Sequence, residues 1–189
     1  MTSQERAVVL IVDDEPAVAD SYAAHVREEY AVRTAYSGEE ALAELDEAVD
    51  VVLLDRRMPD IVGDDVLETV RERGLDARVA MVTAVDADFD IVDMEFDDYV
   101  VKPISSEELL ETIGRLLRCA EYERTLRDYY RVTRTAVALQ SAKETSELDG
   151  SEEFRRLESR REELRDSLTA AADRLADDDF EALFRDLED

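Results

Sequence analysis

Five short apolar segments recur along the first half of the chain, and segments with a helical pattern separate them. The apolar segments lie at 7–12, 30–35, 50–55, 78–83 and 97–101. The first and third are continuous runs of Val, Leu and Ile, which is typical of strands buried on both faces. Strands that alternate with helices predict an α/β domain whose parallel sheet is covered on both sides.

Helix signals lie between these strands. Pro16 suits the first turn of a helix that ends near residue 28. Ser37 and Ser105 are each followed three residues later by Glu, and this capping-box pattern opens a helix. Gly63 precedes a further amphipathic helix, and the segment 86–96 predicts a weaker, short one.

The sequence after the last predicted strand indicates an all-helical region. It contains no proline after Ser105 and no glycine between Gly114 and Gly150, so we expect a helix that ends near Lys143. A polar break at 144–150 follows. We therefore expect a first domain over residues 1–118 and a helical domain over residues 119–189.

A second long helix is predicted from Ser151, with acidic residues in its first turn. Its apolar residues keep a spacing of three or four, with Arg161 as the one interruption. These residues are Phe154, Leu157, Leu164, Leu168, Ala171 and Leu175. The pattern predicts an all-α helical hairpin or coiled coil.

Composition narrows the setting. The net charge is −27, from 50 acidic and 23 basic residues, and only Lys102 and Lys143 are lysines. Distributed acid with almost no lysine is typical of proteins from a salt-accumulating cytoplasm, and it disfavours broad non-specific binding to nucleic acid. The lone Cys119 excludes an internal disulfide. No long apolar run predicts a membrane span, and no secretory signal opens the chain, so we expect a cytoplasmic protein.

Candidate chemistry lies at the ends of the strands. Asp13 and Asp14 end the first strand, Asp55 the third and Thr83 the fourth, while Lys102 follows the fifth. Ligands of parallel sheets bind at this edge, where the strand order reverses. If strands one and three are neighbours, three carboxylates converge, and Mg²⁺ would relieve their repulsion with oxygen ligands alone. One carboxylate could then attack phosphorus and become an aspartyl phosphate.

These motifs carry a resemblance. DDEP at 13–16, DRRMP at 55–59, TA at 83–84 and KP at 102–103 resemble, in this order, the receiver domain of two-component response regulators. The resemblance covers about residues 6–118. It implies a flavodoxin-like five-stranded parallel sheet with strand order 2-1-3-4-5. It also implies phosphorylation by a sensor histidine kinase and no enzymatic activity beyond the domain's own phosphoryl transfer and autodephosphorylation.

The resemblance assigns the catalytic and metal-binding roles position by position. Asp55 resembles the phosphoacceptor, and Lys102 resembles the lysine that contacts the phosphoryl group. Asp13 and Asp14 resemble the acidic pair that organises Mg²⁺. Asp55 and the backbone carbonyl of Arg57 would complete that metal site.

The resemblance also implies a switch. Thr83 resembles the switch hydroxyl, Tyr99 resembles the aromatic residue whose rotamer reports the state, and the Lys102–Pro103 bond is expected to be cis. The switch surface would comprise the predicted fourth and fifth helices with the fifth strand. One departure affects the fourth helix: the interval from Thr83 to Lys102 is shorter than usual by nearly a helical turn, and MEFDDY replaces the common GADDY pattern.

Residues 119–189 resemble the HalX domain that follows receivers in halophilic archaea, for which a DNA-binding role has been suggested. We expect this region to mediate self-association or partner binding, with a homodimer formed through the receiver, the C-terminal helices or both. A DNA-binding transcriptional regulator that acts through these helices is the alternative.

Four arginines at helical spacing sharpen that alternative. We call them the arginine face: Arg124, Arg127, Arg131 and Arg134. They could contact nucleic acid, or they could form ion pairs across the hairpin with Glu158, Glu162, Glu163 and Asp166. The region carries 12 basic and 20 acidic residues, a net −8, which favours the ion pairs.

An aspartate-nucleophile phosphatase on a similar sheet is a second alternative for the whole protein. Such enzymes carry the nucleophile after strand one in a D-x-D pattern. Here strand one ends in DDE, and Arg57 stands at the second position after Asp55. The sequence therefore disfavours the phosphatase.

Overall fold

The computed structural model describes residues 6–84 and 89–185, without the side chains of residues 90 and 176–185. The chain divides into two compact units between Leu117 and Arg118. The first unit contains all the strands, and the second is helical. Within the described residues, no helix is long and apolar enough to cross a membrane.

The first unit is built on a five-stranded parallel sheet in the order β2-β1-β3-β4-β5. This confirms the predicted flavodoxin-like order. The strands are β1 (Val8–Val12), β2 (Ala31–Ala35), β3 (Val51–Leu54), β4 (Arg78–Thr83) and β5 (Asp98–Val101). The order reverses between β1 and β3, so the carboxyl ends of these two strands are neighbours at the switch point.

The described residues form six α-helices. They are α1 (Pro16–Val26), α2 (Gly38–Glu44), α3 (Gly63–Glu72), α4 (Ser106–Ala142), α5 (Thr145–Gly150) and α6 (Glu152–Arg185). Helices α1 to α3 and the start of α4 belong to the first unit, and the rest of α4 with α5 and α6 belongs to the second. The Ser37 hydroxyl accepts a hydrogen bond from the Glu40 amide at 3.1 Å. Before α4, Ser105 and Glu108 cap each other, with amide-to-side-chain distances of 2.8 and 3.2 Å. Both predicted caps are therefore present.

Alternate residues of the strands face opposite layers of the core. Leu10, Val52 and Met81 pack in the layer that contains buried residues of α2 and α3. Ile11 and Leu53 pack in the layer that contains buried residues of α1 and of the first turns of α4. The central strands are buried on both faces, as their continuous apolar runs predict.

Residues 86–88 of the short helix predicted over 86–96 lie outside the described residues, and over 89–96 no α-helix forms. The described part of this connection contains only a 3₁₀ turn at Phe89–Ile91. Met94 and Phe96 pack against the core beside Tyr99, and the amide of Asp97 bonds to the carbonyl of Val79 at 2.8 Å. Because these contacts hold residues 94–97 against the sheet, the described part of the connection has no room for a longer helix.

The polar segment 144–150 interrupts the two long helices as predicted, but residues 145–150 form the short helix α5, which was not predicted. Glu144 and Glu147 make a capping box at its start, and Leu148 is buried. Ser151 then caps α6, since its hydroxyl accepts a hydrogen bond from the Phe154 amide at 3.1 Å. One buried leucine and two caps are enough to give a short polar segment a defined structure.

The second unit buries apolar residues of all three of its helices: Val132 and Ala136 of α4, Leu148 of α5 and Leu164 of α6. Arg161, the interruption in the apolar spacing of α6, pairs with Glu158 at 2.6 Å.

Within the described residues, Arg124, Arg131 and Arg134 do not form the ion pairs predicted across the hairpin. Their four intended carboxylates lie on α6, and three of them pair within that helix: Glu158 with Arg161, Glu163 with Arg160, and Asp166 with Arg165. The arginine face is instead exposed on α4, away from the buried positions Val132 and Ala136. Its position on the helix, rather than its charge, prevents the predicted pairing.

Candidate functional site

Three carboxylates converge at the switch point of the sheet. Val12 of β1 is paired with Leu54 of β3, so Asp13 and Asp55 leave the sheet side by side. Each of Asp13, Asp14 and Asp55 offers an oxygen within 4.8 Å of the other two. Asp13 and Asp55 are only 2% and 8% exposed, whereas Asp14 is half-buried. The structure thus brings together the acidic residues that the strand ends predict.

Lys102 bridges two of these carboxylates. Its Nζ lies 2.6 Å from Asp13 Oδ2 and 2.7 Å from Asp55 Oδ2. Burial by itself would lower the pKa of Lys102, but the hydrogen bonds and Coulombic attraction from Asp13 and Asp55 outweigh burial and raise it. Lys102 therefore carries its positive charge at neutral pH. The peptide bond to Pro103 is cis, as expected.

Backbone amides hold the other oxygen of each bridged carboxylate. The Glu15 amide donates to Asp13 Oδ1 at 3.0 Å, and the Arg57 amide donates to Asp55 Oδ1 at 3.1 Å. Each carboxylate therefore has one oxygen on a backbone N–H and one on the lysine. This arrangement fixes the rotamers of both side chains. The side chain of Arg57 is exposed.

Gly63 allows α3 to start directly against the backbone of Asp55. A Cβ at this position would lie 2.4 Å from the Asp55 carbonyl oxygen and 2.8 Å from the Arg56 Cα. The adjacent Asp64 binds the Arg56 guanidinium through two contacts of 3.0 and 3.2 Å. Sequence reasoning missed this support; the available signal was a glycine, rather than a polar residue, at the predicted start of the helix.

Thr83 ends β4 beside the site. It is fully buried, and its Oγ1 has no hydrogen-bond partner among the described residues. A buried hydroxyl without a partner costs free energy. The residue thus offers an unused donor next to the strand end that carries Lys102.

Tyr99 lies on β5 and packs against the core beside Phe96. It is half-buried, and its ring centroid lies 5.6 Å from that of Phe96 at an interplanar angle of 52°. The neighbouring Asp98 pairs with Arg115 of α4. The MEFDDY pattern thus gives Tyr99 an aromatic neighbour, Phe96, that the common GADDY pattern lacks.

Tyr22 of α1 is a neighbour that sequence reasoning missed. Burial raises the pKa of its hydroxyl, the charge of Lys102 opposes the shift, and Asp13 and Asp55 add to it. Tyr22 is therefore within electrostatic reach of the site. Its place in an ordinary amphipathic helix gave no sequence signal.

The donor set fits a hard divalent cation. All three acidic residues offer carboxylate oxygens, which are the ligands that Mg²⁺ uses, usually one or two at a time together with waters and a phosphate oxygen. Asp14 is the most exposed of the three. The cluster can therefore hold Mg²⁺ on the side that faces solvent.

Comparison with known proteins gives two family matches. Residues 9–114 match the response regulator receiver domain, and residues 118–184 match the HalX domain. A putative transcriptional regulator of Haloferax volcanii is 52% identical over 165 residues, which are 87% of this chain and 28% of that protein. Sensory transduction protein RegX3 of Mycobacterium tuberculosis is 44% identical over 115 residues, 58% of this chain and 50% of that protein. The chain spans half or less of the length of these relatives.

Two solved structures resemble the first unit. A response regulator receiver domain protein from Methanospirillum hungatei has a TM-score of 0.59 and 30% identity, over 62% of this chain and 98% of that chain. Response regulator protein TrrA from Thermotoga maritima, in complex with Mg²⁺ and BeF, has a TM-score of 0.51 and 34% identity, over 59% and 99%.

Proposed function

This chain belongs to the response regulator receiver family and carries a HalX domain behind its receiver, and on that premise we propose that Asp55 receives a phosphoryl group from a sensor histidine kinase. Residues 1–118 form the receiver domain in this proposal, and residues 119–189 form the helical output domain. The observation that carries the proposal is the position of Lys102 Nζ, 2.7 Å from Asp55 Oδ2.

Asp55 acts as the nucleophile. One of its oxygens forms a bond to phosphorus while the bond from phosphorus to the donor histidine nitrogen breaks, and the electron pair of that bond stays on the nitrogen. The Arg57 amide holds Asp55 Oδ1 at 3.1 Å, which orients the carboxylate for attack. Lys102 then contacts a phosphoryl oxygen as a compact point charge.

The acidic cluster provides the metal site. Asp13, Asp14, Asp55 and the backbone carbonyl of Arg57 would hold Mg²⁺, which when bound supplies positive charge against the phosphoryl oxygens. The Glu15 amide keeps Asp13 in place at 3.0 Å, so the site does not depend on Lys102 alone for its geometry.

Thr83 and Tyr99 form the switch in this proposal. The buried Thr83 hydroxyl lacks an acceptor among the described residues, and a phosphoryl oxygen on Asp55 would provide one. Movement of Thr83 toward that oxygen would leave space for the Tyr99 ring, which now packs against Phe96. The switch surface is then β5, the first turns of α4 and the 3₁₀ connection, because the expected fourth helix is absent from the described residues.

The output proposal concerns the helical domain. Helix α4 starts at Ser106, shortly after Lys102, and ends at Ala142 in the second unit. We propose that the domain mediates self-association, which phosphorylation biases. DNA binding through the same domain is the second candidate, supported by the exposed arginine face and by the putative transcriptional regulator among the relatives. The protein would act in the cytoplasm, where its kinase presents the phosphohistidine.

Phosphorylation with a small-molecule phosphodonor tests the acceptor assignment. We expect the wild-type chain with Mg²⁺ to gain one phosphoryl group by intact mass, and Asp55→Asn to gain none. Asp65→Asn is the matched control, because Asp65 is an exposed residue of α3 outside the cluster. Labelling of Asp55→Asn at the wild-type rate would show that the acceptor is another residue. Steady turnover of a small phosphate ester would instead favour the phosphatase alternative.

A further inference from the structure

The arginine face is a charged and partly apolar surface on α4. The side chains of Arg127 and Arg131 are 57% and 74% exposed, and their ion pairs run within the helix, to Glu123 at 3.9 Å and Asp128 at 3.0 Å. Arg124 and Arg134 are exposed, and neither takes part in an ion pair in the part of the chain that the structure describes. The face thus presents at least two guanidinium groups, those of Arg124 and Arg134, that no carboxylate of the described residues neutralises.

Two large apolar side chains border this face. Tyr130 is 61% exposed and Val137 is 51% exposed. Each lies three or four residues from a member of the arginine face, so it is a neighbour of that residue on the helix surface. A partner for this surface therefore has to offer acceptors for guanidinium groups and an apolar contact beside them.

An acidic groove on the receiver offers both. It has a volume of about 350 Å³ and lies between α3 and residues 93–95. Leu67 and Met94 are its apolar lining, and we define the acidic groove by the four carboxylates at its rim: Glu68, Glu72, Asp93 and Glu95. These four are exposed, and none of their carboxylates has a partner within the described ranges.

The one cation that lines the groove is already committed. Arg71 donates from Nε to the Glu95 carbonyl at 2.8 Å, from Nη1 to the Ala77 carbonyl at 2.9 Å, and from Nη2 to Asp97 Oδ2 at 2.7 Å. Its guanidinium therefore ties the groove wall to the sheet and does not neutralise the rim. The groove remains strongly negative.

We propose that the acidic groove of one copy of this chain binds the arginine face of a second copy. Guanidinium groups of the arginine face would meet the four rim carboxylates, and the exposed Tyr130 and Val137 would meet the partly exposed Met94. At 1.5 Å per residue the arginine face spans about 15 Å along α4, which is long enough to reach both Glu68 and Glu72, about 6 Å apart along α3. Arginine suits such paired carboxylate recognition because of its planar donors.

A second copy fits this surface better than nucleic acid does. Glu121, Glu123 and Asp128 flank the arginine face on the same helix, and the helical domain has a net charge of −8, so a continuous polyanion would meet repulsion beside every attraction. The discrete carboxylates of the acidic groove can meet single guanidinium groups and avoid those neighbours. The inference deepens the proposed self-association and rests on it, but it does not require phosphorylation of Asp55.

Charge-reversal variants test the contact by sedimentation of the full chain over a range of protein concentrations at one fixed salt concentration. Arg124→Glu with Arg134→Glu reverses the face, and Glu68→Arg with Glu72→Arg reverses the groove. We expect each pair to raise the dissociation constant of self-association by about tenfold or more. Combining all four substitutions restores opposite charges, and we expect self-association to return.

The controls carry the same change in net charge at other exposed positions. Arg155→Glu with Arg174→Glu matches the face variant, and Glu28→Arg with Glu29→Arg matches the groove variant; both should associate as the wild type does. Phosphorylation of Asp55, measured in the same samples, reports that each variant is folded and tests the proposed function separately.

Three outcomes would overturn the inference. A wild-type chain that stays monomeric at every concentration would do so, as would association that neither face nor groove variant changes. The third outcome is a gel in which the protein retards DNA, the face variant abolishes that retardation, and the groove variant changes neither the retardation nor self-association. The arginine face would then bind nucleic acid.

Discussion

The backbone amide of Lys102 lies 2.8 Å from the carbonyl oxygen of Thr83. This hydrogen bond extends the pairing of β4 with β5 one step beyond Val101, the last paired residue of β5. The unpartnered hydroxyl and the bridging ammonium are therefore held at the same sheet edge by one ladder. A change at either residue tests a different part of the proposal.

Replacing Thr83 with Val should separate stability from switching. Valine has nearly the shape of threonine but lacks the buried hydroxyl that has no partner among the described residues. We expect the free energy of unfolding in urea to rise by about 1 kcal/mol, since the desolvation cost of that hydroxyl disappears. Phosphorylation of Asp55 should persist, while any change in self-association on phosphorylation should be lost. A valine variant that still switches would remove Thr83 from the mechanism.

Replacing Lys102 with Met should leave Asp13 and Asp55 without their shared cation. We expect the free energy of unfolding in metal-free buffer to fall by about 3 kcal/mol, because a buried charge pair loses one partner. Added Mg²⁺ should recover more stability in this variant than in the wild type, since the cation takes over the same oxygens. Lys143→Met, at the only other lysine, is the matched control: its free energy of unfolding and its gain from Mg²⁺ should both match those of the wild type. An equal response to Mg²⁺ in all three chains would contradict the shared site.

The stability that Lys102 provides should be lost at alkaline pH. Its pKa is raised above the ordinary value of 10.5, so the folded state favours the charged form. The contribution is fully present below pH 10.5 and is lost as the pH rises through the raised pKa. We expect the difference in unfolding free energy between wild type and Lys102→Met to shrink only above pH 10.5. Both chains should carry Tyr22→Phe, because the pKa of Tyr22 is also raised, and its hydroxyl would otherwise lose its proton at alkaline pH. A difference that already shrinks near neutral pH would contradict the ion pairs.

Replacing Gly63 with Ala should lower the free energy of unfolding and shift the backbone of Asp55. The new Cβ would lie 2.4 Å from the Asp55 carbonyl oxygen, and backbone atoms cannot move aside as a flexible side chain can. We expect a loss of about 2–3 kcal/mol in unfolding free energy and slower phosphorylation of Asp55. Gly150→Ala is the control, since a Cβ there meets nothing within 4 Å, and it should be close to neutral. Normal phosphorylation in Gly63→Ala would mean that α3 does not set the position of Asp55.

The sheet and the acidic cluster could be predicted because they follow from strong local signals. The buried runs around Leu10 and Leu53 have few other stable arrangements, and parallel strands bring their polar ends to one edge. Lys102 could be predicted for the same reason, as a rare lysine at a strand end. The roles of these residues in phosphoryl transfer remain a prediction.

Other features depended on contacts between distant segments. The 3₁₀ connection forms because Met94 and Phe96 pack on the core, and Asp97 accepts hydrogen bonds from Arg71 at 2.7 Å and Arg78 at 2.6 Å. No local pattern specifies partners that lie 19 to 26 residues apart in the chain. The same reason explains the error about the arginine face, whose position relative to the buried face of α4 decided its partners.

The Lys102 bridge also isolates the site from the ionic strength around it. Exposed charges on this strongly acidic chain are screened by dissolved salt, but the lysine is tethered by its own backbone and lies 2.6 and 2.7 Å from two largely buried carboxylates. A tethered cation has an effective concentration that a monovalent cation in solution rarely matches. The contacts of Lys102 with Asp13 and Asp55 should therefore depend little on the salt around the protein, and a divalent cation should compete for the same oxygens better than a monovalent one.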